Sequence, residues 1–197
     1  MEKEKKDQEK IEEEGKWAKI SLFCLELVKV AVLAGLTIGL VRYFLFKPFV
    51  VRGQSMEPNF FERDYLIIDE LSYRLREPKR GEVIVFRAPI GDDYYLKRVI
   101  GLPGERVKIE DSKVIVYNEE YPQGAVVEEL YLEEETPGMI IQTLGEDEFF
   151  VMGDNRDSSY DSRRFGPIGR QAIVGRALVR GLPLSKITTF STPQYNL

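Results

Sequence analysis

The sequence predicts a mostly β chain, in which an antiparallel, barrel-like fold follows one N-terminal transmembrane helix. An uncharged apolar run extends from residue 30 to 41, and apolar residues continue on both sides of it. After residue 47, eight short segments rich in Val, Ile, Tyr and Phe alternate with turn residues. No helical periodicity of useful length separates these segments, which favours an antiparallel arrangement over a parallel βαβ sheet.

The composition narrows the classes of chemistry that the chain can perform. Its 197 residues suffice for one ordinary domain with an appendage. The net charge of -5 argues against nucleic acid as a partner. The chain contains no His and one Cys, which excludes His-containing catalytic triads, His-ligated metal sites and intramolecular disulfides. We expect no cofactor and no metal, and any general base must be Lys, Asp, Glu, Tyr or a terminal amine.

The N-terminal region changes character near residue 20. Residues 1–19 carry six Lys and seven acidic residues, which predicts a solvated tail that is helical only near its end. Residues 20–46 are predicted to be a transmembrane anchor, because a spanning helix needs about 20 residues. The alternatives are an amphipathic or core helix and a cleavable signal sequence, which is disfavoured because no small-x-small cleavage site follows.

The distribution of basic residues predicts how this anchor is oriented. Six Lys precede the apolar segment, whereas Arg42, Lys47 and Arg52 end or follow it. Because basic residues are retained on the cytoplasmic side, we expect a single-pass protein of the cell membrane with a cytoplasmic N-terminus and an extracytoplasmic β domain.

The β domain is predicted to extend over residues 47–184. Residues 118–147 are acidic and are predicted to form an excursion from the main sheet rather than a second core, and 185–197 to form a loosely held tail. The predicted strands lie within 48–53, 64–71, 82–88, 94–102, 106–110, 113–118, 148–153 and 176–181.

Two residues could form a catalytic pair without His. Ser55 lies in a tight turn between Gly53 and Pro58, directly after a strand, although most serines in such turns only bond their own backbone. Lys97 lies in an apolar β run, where a buried ammonium is costly unless it loses its proton. Strand alternation puts Lys97 and Arg98 on opposite faces, so one of them points inward unless an edge strand exposes both. A buried Lys with a lowered pKa can serve as the base for a Ser nucleophile.

A third polar segment, residues 153–167, mixes acids, amides, Ser and Arg between Gly and Pro. A calcium loop is disfavoured, because Ser162 occupies the position that requires Gly and three arginines would repel a cation. A network of Asp–Arg pairs and Asx turns that braces another part of the molecule fits better.

Five blocks of this sequence, in order behind the apolar segment, resemble the conserved boxes of type I signal peptidases. The resemblance covers about residues 40–183 and is greatest to the compact members with one anchor. It implies the signal peptidase fold and a membrane-anchored serine endopeptidase that removes signal peptides from exported preproteins after small residues. The implied partners are these preproteins, membrane lipid and the export translocon. The blocks are residues 53–58, 64–68, 80–86, 95–105 and 153–163.

The resemblance also implies roles for individual residues. Ser55 matches the nucleophile and Lys97 its general base. Supporting or orienting roles are implied for a second group: Ser159, whose hydroxyl orients the amine, the ion pair of Asp161 and Arg163, Arg98 after the base, and Gly53, where some relatives have a Ser that donates to the oxyanion. The implied substrate-binding residues are Phe49, Val51, Met56, Phe60 and Leu96.

Two departures and two alternatives accompany this interpretation. Asn59 replaces a usual Thr, and Arg63 replaces a usual turn Gly. Phe60 and Phe61, with residues 44–49, are predicted to form an apolar rim at the bilayer surface.

Two other functions remain as alternatives. A self-processing repressor shares the Ser/Lys dyad but would require a DNA-binding domain. A non-catalytic, membrane-tethered β module would not require Ser55 or Lys97.

Overall fold

The structure, a computed structural model, describes residues 2–44, 46–193, 195 and 197. For residues 2–16, 18, 40–44, 46 and 47 it describes only the backbone. The chain divides into two compact units, Met1–Phe44 and Leu45–Leu197.

The first unit is one helix, α1 (Glu2–Phe44). Helical backbone therefore runs through the charged segment, which was expected to be helical only near its end. Glu and Lys are strong helix formers and no Pro interrupts them, which accounts for the difference. Lys19–Gly39 comprises 21 residues with a mean hydropathy of 2.0 and is not buried inside the protein. This length suffices to cross a membrane. The helix ends at Phe44, slightly before the predicted anchor boundary at residue 46.

The second unit is mostly antiparallel β, as predicted, and each of the eight predicted segments contains a strand. Four further strands, β7, β8, β10 and β12, were not predicted and have two to four residues each. Two short helices are present, α2 (Ser72–Leu75) and α3 (Ser162–Phe165). The strands are β1 (Phe46–Val50), β2 (Tyr65–Asp69), β3 (Val83–Arg87), β4 (Tyr94–Gly101), β5 (Arg106–Glu110), β6 (Lys113–Tyr117), β7 (Ala125–Val126), β8 (Ile140–Thr143), β9 (Glu148–Met152), β10 (Ile168–Gly169), β11 (Ile173–Leu182) and β12 (Thr188–Thr189).

The larger sheet has the strand order β1-β2-β11-β3-β4-β9-β10, and β12 pairs with β11. Strand β4 is interior, so the edge position considered for it is wrong. Its first half nevertheless has one open side, because residues 94–97 pair only with β3, whereas β9 joins from Arg98 onward. Strand β1 pairs only with β2 among the described residues. Two stretches of unpaired strand edge are therefore available for further hydrogen bonding.

The smaller sheet, β7-β6-β5-β8, shares its buried apolar cluster with residues of β4 and β9 from the larger sheet. Residues 118–147 supply β7 and β8 to the smaller sheet and the buried Val127 and Leu144 to this cluster, which the expectation of an excursion without a second core did not include. Their apolar residues occur only in short groups, such as 125–127 and 139–141, so no longer periodic pattern is visible in the sequence. The buried cluster consists of Ile100, Val107, Ile109, Val114, Val116, Val127, Leu144, Phe150 and Met152.

The C-terminal segment is packed against the domain rather than loosely held. Strand β12 pairs with β11, and the ring of Phe190 lies 4.3 Å from that of Phe60 between centroids. The Tyr195 ring is so close to Gly81 that a Cβ there would lie 2.7 Å from it. Isolated aromatic residues in a polar sequence account for both contacts, and they give no periodic signal.

Candidate active site

Ser55 and Lys97, which are 42 residues apart, meet in the second unit. Lys97 Nζ lies 2.6 Å from Ser55 Oγ and 3.0 Å from the carbonyl oxygen of Leu96. Ser55 is in the turn region after β1 and Lys97 is in β4, although three strands separate β1 from β4 in the sheet. The sheet curves so that both strands border one cavity, which brings the hydroxyl to the amine.

The environment of Lys97 favours the neutral amine. The residue is 4% exposed, and burial lowers its pKa to about 8. The carboxylates of Asp161 and Asp154 oppose this shift, but each forms an ion pair with an arginine. With a pKa of about 8, roughly one amine in ten is neutral at pH 7. The site therefore holds a hydroxyl and a usable base at hydrogen-bonding distance.

A groove of about 610 Å³ contains this pair. It is lined by residues 48–56 and 92–97 together with Ser158 and Tyr160, and so runs beside the open edge of β4. Four of the five predicted substrate-binding residues line it, namely Phe49, Val51, Met56 and Leu96.

Phe60 does not line the groove. It is 1% exposed and borders a different cavity, where it stacks on Phe190. Burial also removes Phe60 from the predicted apolar rim. Phe61 is 37% exposed, and Lys186 Nζ lies 4.6 Å from its ring centroid. The side chains of residues 44–47 lie outside the described part, so the structure leaves their share of the rim a prediction.

The loop after β9 holds the nucleophile through the backbone. The N–H of Asn155 donates to the carbonyl oxygen of Ser55 over 3.1 Å. Gly153 permits this approach, because a Cβ at that position would overlap both the Ser55 carbonyl oxygen and the Ser159 hydroxyl. The close packing around Gly153 therefore requires glycine, because any side chain there would force the loop to move.

Asp161 and Arg163 form the expected ion pair, with Arg163 Nη2 2.9 Å from Asp161 Oδ2. The side chain of Asp161 is fully buried and also accepts from the N–H of Gly153 over 3.0 Å. Burial alone would raise the pKa of Asp161, but the hydrogen bonds from Arg163 and Gly153 hold it below its usual value. The pair therefore ties α3 to the loop that contacts Ser55.

The Ser159 hydroxyl is buried beside Gly153. It forms no well-aligned hydrogen bond with any described residue, although it lies near enough to Asp161 to help lower the pKa of that carboxyl. The structure thus does not place it in a hydrogen bond with Lys97 Nζ. Its orienting role stays a prediction.

Arg98 is as buried as Lys97, at 5% exposed, so both cations of this strand are inside. Its guanidinium donates to both carboxylate oxygens of Asp154, over 2.8 and 2.6 Å, and to the carbonyl oxygen of Gly81 over 2.8 Å. The ring of Tyr131 lies 4.0 Å from Arg98 Cζ. No individual role for Asp154 or Tyr131 was predicted from the sequence. A buried Arg needs a carboxylate partner, and this need was the available signal for Asp154.

The backbone at Ser55 offers a donor to a developing oxyanion, and the backbone at Gly53 leaves space beside it. The Ser55 N–H donates to no acceptor among the described residues. Gly53 has a φ of +80°, and the space beside its Cα is empty to 4 Å. No group of three or more Asp, Glu or Cys side chains suited to a metal occurs in the part of the chain that is described.

Comparisons with known proteins agree on one family. Residues 24–182 match the family model described as signal peptidase, peptidase S26. A probable signal peptidase I-2 of Synechocystis sp. is 36% identical over 172 residues, which are 83% of this chain and 75% of the relative. A signal peptidase I of Bacillus licheniformis is 33% identical over 89% of this chain and 97% of its own length. The protein in a crystal structure of a signal peptidase I from Enterococcus faecalis is 29% identical in sequence to this chain. The match covers 51% of this chain and 97% of the Enterococcus chain, with a TM-score of 0.45.

Proposed function

The chain belongs to the signal peptidase family, and from that premise we propose that it is a membrane-anchored endopeptidase that cleaves signal peptides through a Ser55–Lys97 dyad. Membership makes it a serine peptidase, a hydrolase whose substrates are preproteins with signal peptides. The single observation that carries the proposed dyad is the 2.6 Å distance between Lys97 Nζ and Ser55 Oγ, with the amine buried.

In the proposed mechanism, the neutral amine of Lys97 accepts the hydroxyl proton of Ser55 as the oxygen attacks the scissile carbonyl carbon. The Ser55 N–H donates to the resulting oxyanion, and such a donor contributes about 3 kcal/mol to transition-state stabilisation. The Gly53 region is the proposed place for a second donor. Protonated Lys97 then gives its proton to the leaving amine, which leaves an acyl-enzyme on Ser55. The same amine then accepts a proton from water as the water oxygen attacks the acyl carbon, and it returns this proton to the Ser55 oxygen when the ester bond breaks and the signal peptide is released.

The two open strand edges support an extended substrate. A peptide lying in the groove can form main-chain hydrogen bonds with β1 on one side and with residues 94–97 of β4 on the other. Phe49, Val51, Met56 and Leu96 contribute apolar walls near the dyad. Because Val51, Met56 and Leu96 are almost completely buried, these walls favour small side chains at the cleavage site, as signal peptides have.

We further propose that Lys19–Gly39 spans the membrane with a cytoplasmic N-terminus, as the distribution of basic residues predicts. The second unit then lies outside the cytoplasm, where exported chains emerge. Membrane lipid and the export translocon are its proposed partners. The exposed Phe61 supports a contact with the bilayer surface.

The test is cleavage of a synthetic preprotein by the full chain in detergent, over a range of pH. We expect Ser55→Ala and Lys97→Ala each to lower kcat/KM by about 1,000-fold or more, because each removes one half of the dyad. For the wild type, kcat/KM should rise about tenfold per pH unit below pH 8 and level off above it, because the neutral amine is the active form.

Matched controls are Ser185→Ala and Lys108→Ala, a serine and a lysine outside the groove. Both should cleave like the wild type. Full processing by Ser55→Ala and Lys97→Ala would contradict the dyad and favour a non-catalytic, membrane-tethered module.

A further inference from the structure

Tyr131 packs against Arg98 at the opposite side of β4 from the dyad. Its ring centroid lies 4.0 Å from Arg98 Cζ, close enough for a cation–π contact. Tyr131 belongs to the acidic segment 118–147 and does not line the groove. It therefore has no contact through which it could act on a substrate directly.

The remaining contacts of Tyr131 connect it to the nucleophile loop and to the partner of Arg98. Its carbonyl oxygen accepts from Asn59 Nδ2 over 3.0 Å, and the same amide donates to Asp154 Oδ2 over 3.0 Å. Asn59 follows Ser55 by four residues in the chain. Tyr131 thus contacts both the Arg98 guanidinium and the side-chain amide of Asn59, and that amide donates to Asp154, the partner of Arg98.

The orientation of the Tyr131 ring is fixed from its far end. Its hydroxyl donates to Glu129 Oε1 over 2.6 Å, and both oxygens of Glu129 accept from the buried guanidinium of Arg156, over 2.7 and 2.5 Å. Arg156 in turn donates to the carbonyl oxygen of Gly153 over 3.0 Å. The ring that covers Arg98 is therefore part of the network that supports the loop beside Ser55.

We propose that Tyr131 is a positioning residue for the general base of the proposed peptidase, acting through Arg98. The inference rests on the proposed function. Residues 94–97 of β4 are paired on one side only, so the position of Lys97 depends on how firmly the next residue is held. The ring of Tyr131 covers one side of the Arg98 guanidinium while that guanidinium donates to Asp154.

The charges around Lys97 predict the consequence of losing this ring. The amine faces the Ser55 hydroxyl, the Tyr95 ring at 5.7 Å, and the carboxylates of Asp161 and Asp154. Asp161 remains neutralised by Arg163. A looser Arg98–Asp154 pair leaves more of the Asp154 charge to act on the amine and admits water, and both effects raise the pKa of Lys97.

The experiment compares Tyr131→Leu, Tyr131→Phe and a matched control, Tyr117→Leu. Tyr117 stacks on Arg106 at 4.1 Å in the smaller sheet, so the control removes a similar contact remote from the dyad. For Tyr131→Leu we expect kcat to fall about tenfold at pH 7 with KM unchanged, because a pKa increase of about one unit lowers the neutral fraction about tenfold. The loss should disappear near pH 10. Tyr131→Phe retains the ring but loses the hydroxyl bond to Glu129, so its shift of the Lys97 pKa should be smaller than that of Tyr131→Leu. Tyr117→Leu should keep the wild-type pH profile.

A loss of the same factor at every pH, or an equal shift in Tyr117→Leu, would overturn the proposal, because a purely structural role predicts either. Thermal unfolding of each variant establishes that it is folded. A second measurement does not depend on cleavage: competitive acetylation by acetic anhydride, resolved by peptide mass spectrometry, reports the pKa of Lys97 in wild type and variants. If the wild type fails to cleave the preprotein, the proposed function fails, but an increased pKa in Tyr131→Leu still supports the positioning role and an unchanged one overturns it.

Discussion

Strand β4 carries two adjacent basic residues, one on each side, that are similarly buried but whose pKa values shift in opposite directions. Lys97 and Arg98 are 4% and 5% exposed. Arg98 has both oxygens of Asp154, the Gly81 carbonyl and the Tyr131 ring around it, whereas Lys97 Nζ contacts only a hydroxyl and a carbonyl oxygen. Burial alone would lower the pKa of both groups, and for Arg98 the hydrogen bonds that its guanidinium donates to Asp154 reverse that effect. The difference shows that a carboxylate partner, rather than the degree of burial, decides whether a buried basic residue stays charged or can act as a base.

The surroundings of the two residues explain why each residue type is needed. A guanidinium is planar and permanently charged, so it suits a fixed carboxylate. An ammonium on a flexible stem loses its proton more readily when buried. Lys97 lines the groove, while Arg98 lines a cavity that the C-terminal segment borders. The strand therefore combines a reactive and a bracing residue at consecutive positions.

The largest expected effect is a loss of stability when the charge of Arg98 is removed. Arg98→Met should lower the free energy of unfolding by about 3–5 kcal/mol, because it leaves the buried Asp154 carboxylate unpaired. Lys97→Met should change it by less than about 1 kcal/mol or increase it, because no carboxylate loses a direct partner. Urea unfolding of the detergent-solubilised chain measures both. Adding Asp154→Asn to Arg98→Met should recover part of the loss, and equal costs for the two Met variants would contradict the comparison.

A smaller effect sharpens the comparison through pH. The pKa of Lys97 is about 8 in the folded chain against 10.5 for a solvent-exposed Lys, so the unfolded state binds more protons between these values. Stability relative to Lys97→Met should therefore increase with pH from about 8 to 10.5, by about 3 kcal/mol in total. The difference between the two urea curves at each pH isolates this group from the tyrosines, whose raised pKa values act in the opposite direction. A pH-independent difference would show that the amine is not desolvated.

The smallest effect concerns the backbone that carries the nucleophile. Arg63 has a φ of 68°, in the left-handed region where a side chain is strained, and its N–H donates to the carbonyl oxygen of Val51. Arg63→Gly should raise the unfolding free energy by about 0.5 kcal/mol, since relief of strain is partly offset by the entropy of Gly. Gly53→Ala, at a φ of 80° in open space, should lower it by about 1 kcal/mol. Thermal or urea unfolding measures this pair, and opposite signs are required.

The sequence predicted the features that depend on residue type and local pattern. The lack of His directed attention to Lys97, and the turn at Ser55 and the β segments followed from Gly, Pro and apolar runs. Arg63 in place of a usual turn Gly called the local turn conformation into question, and its φ of 68° shows that the conformation typical of Gly is retained.

The features that the sequence did not predict depend on contacts between distant segments. Phe60 was expected to line the groove, but it packs on Phe190, 130 residues later, within the same buried cluster as Val51, Met56 and Leu96. The proposed role of Tyr131, which lies in a turn, depends on Arg98, 33 residues earlier and in the larger sheet. Isolated aromatic residues carry no periodicity, so a single sequence cannot assign their partners.

The open edges of β1 and β4 also create a hazard. Unpaired strand edges accept any extended polypeptide, including another molecule of the same protein. Charged residues border the groove at both ends, with Arg52 near Ser55 and the exposed Asp92 and Asp93 before β4. A strand entering from a folded copy would have to desolvate these charges, while a single flexible chain can pass between them. The charges that border the groove thus disfavour self-assembly through the open edges, while a single extended chain can still enter.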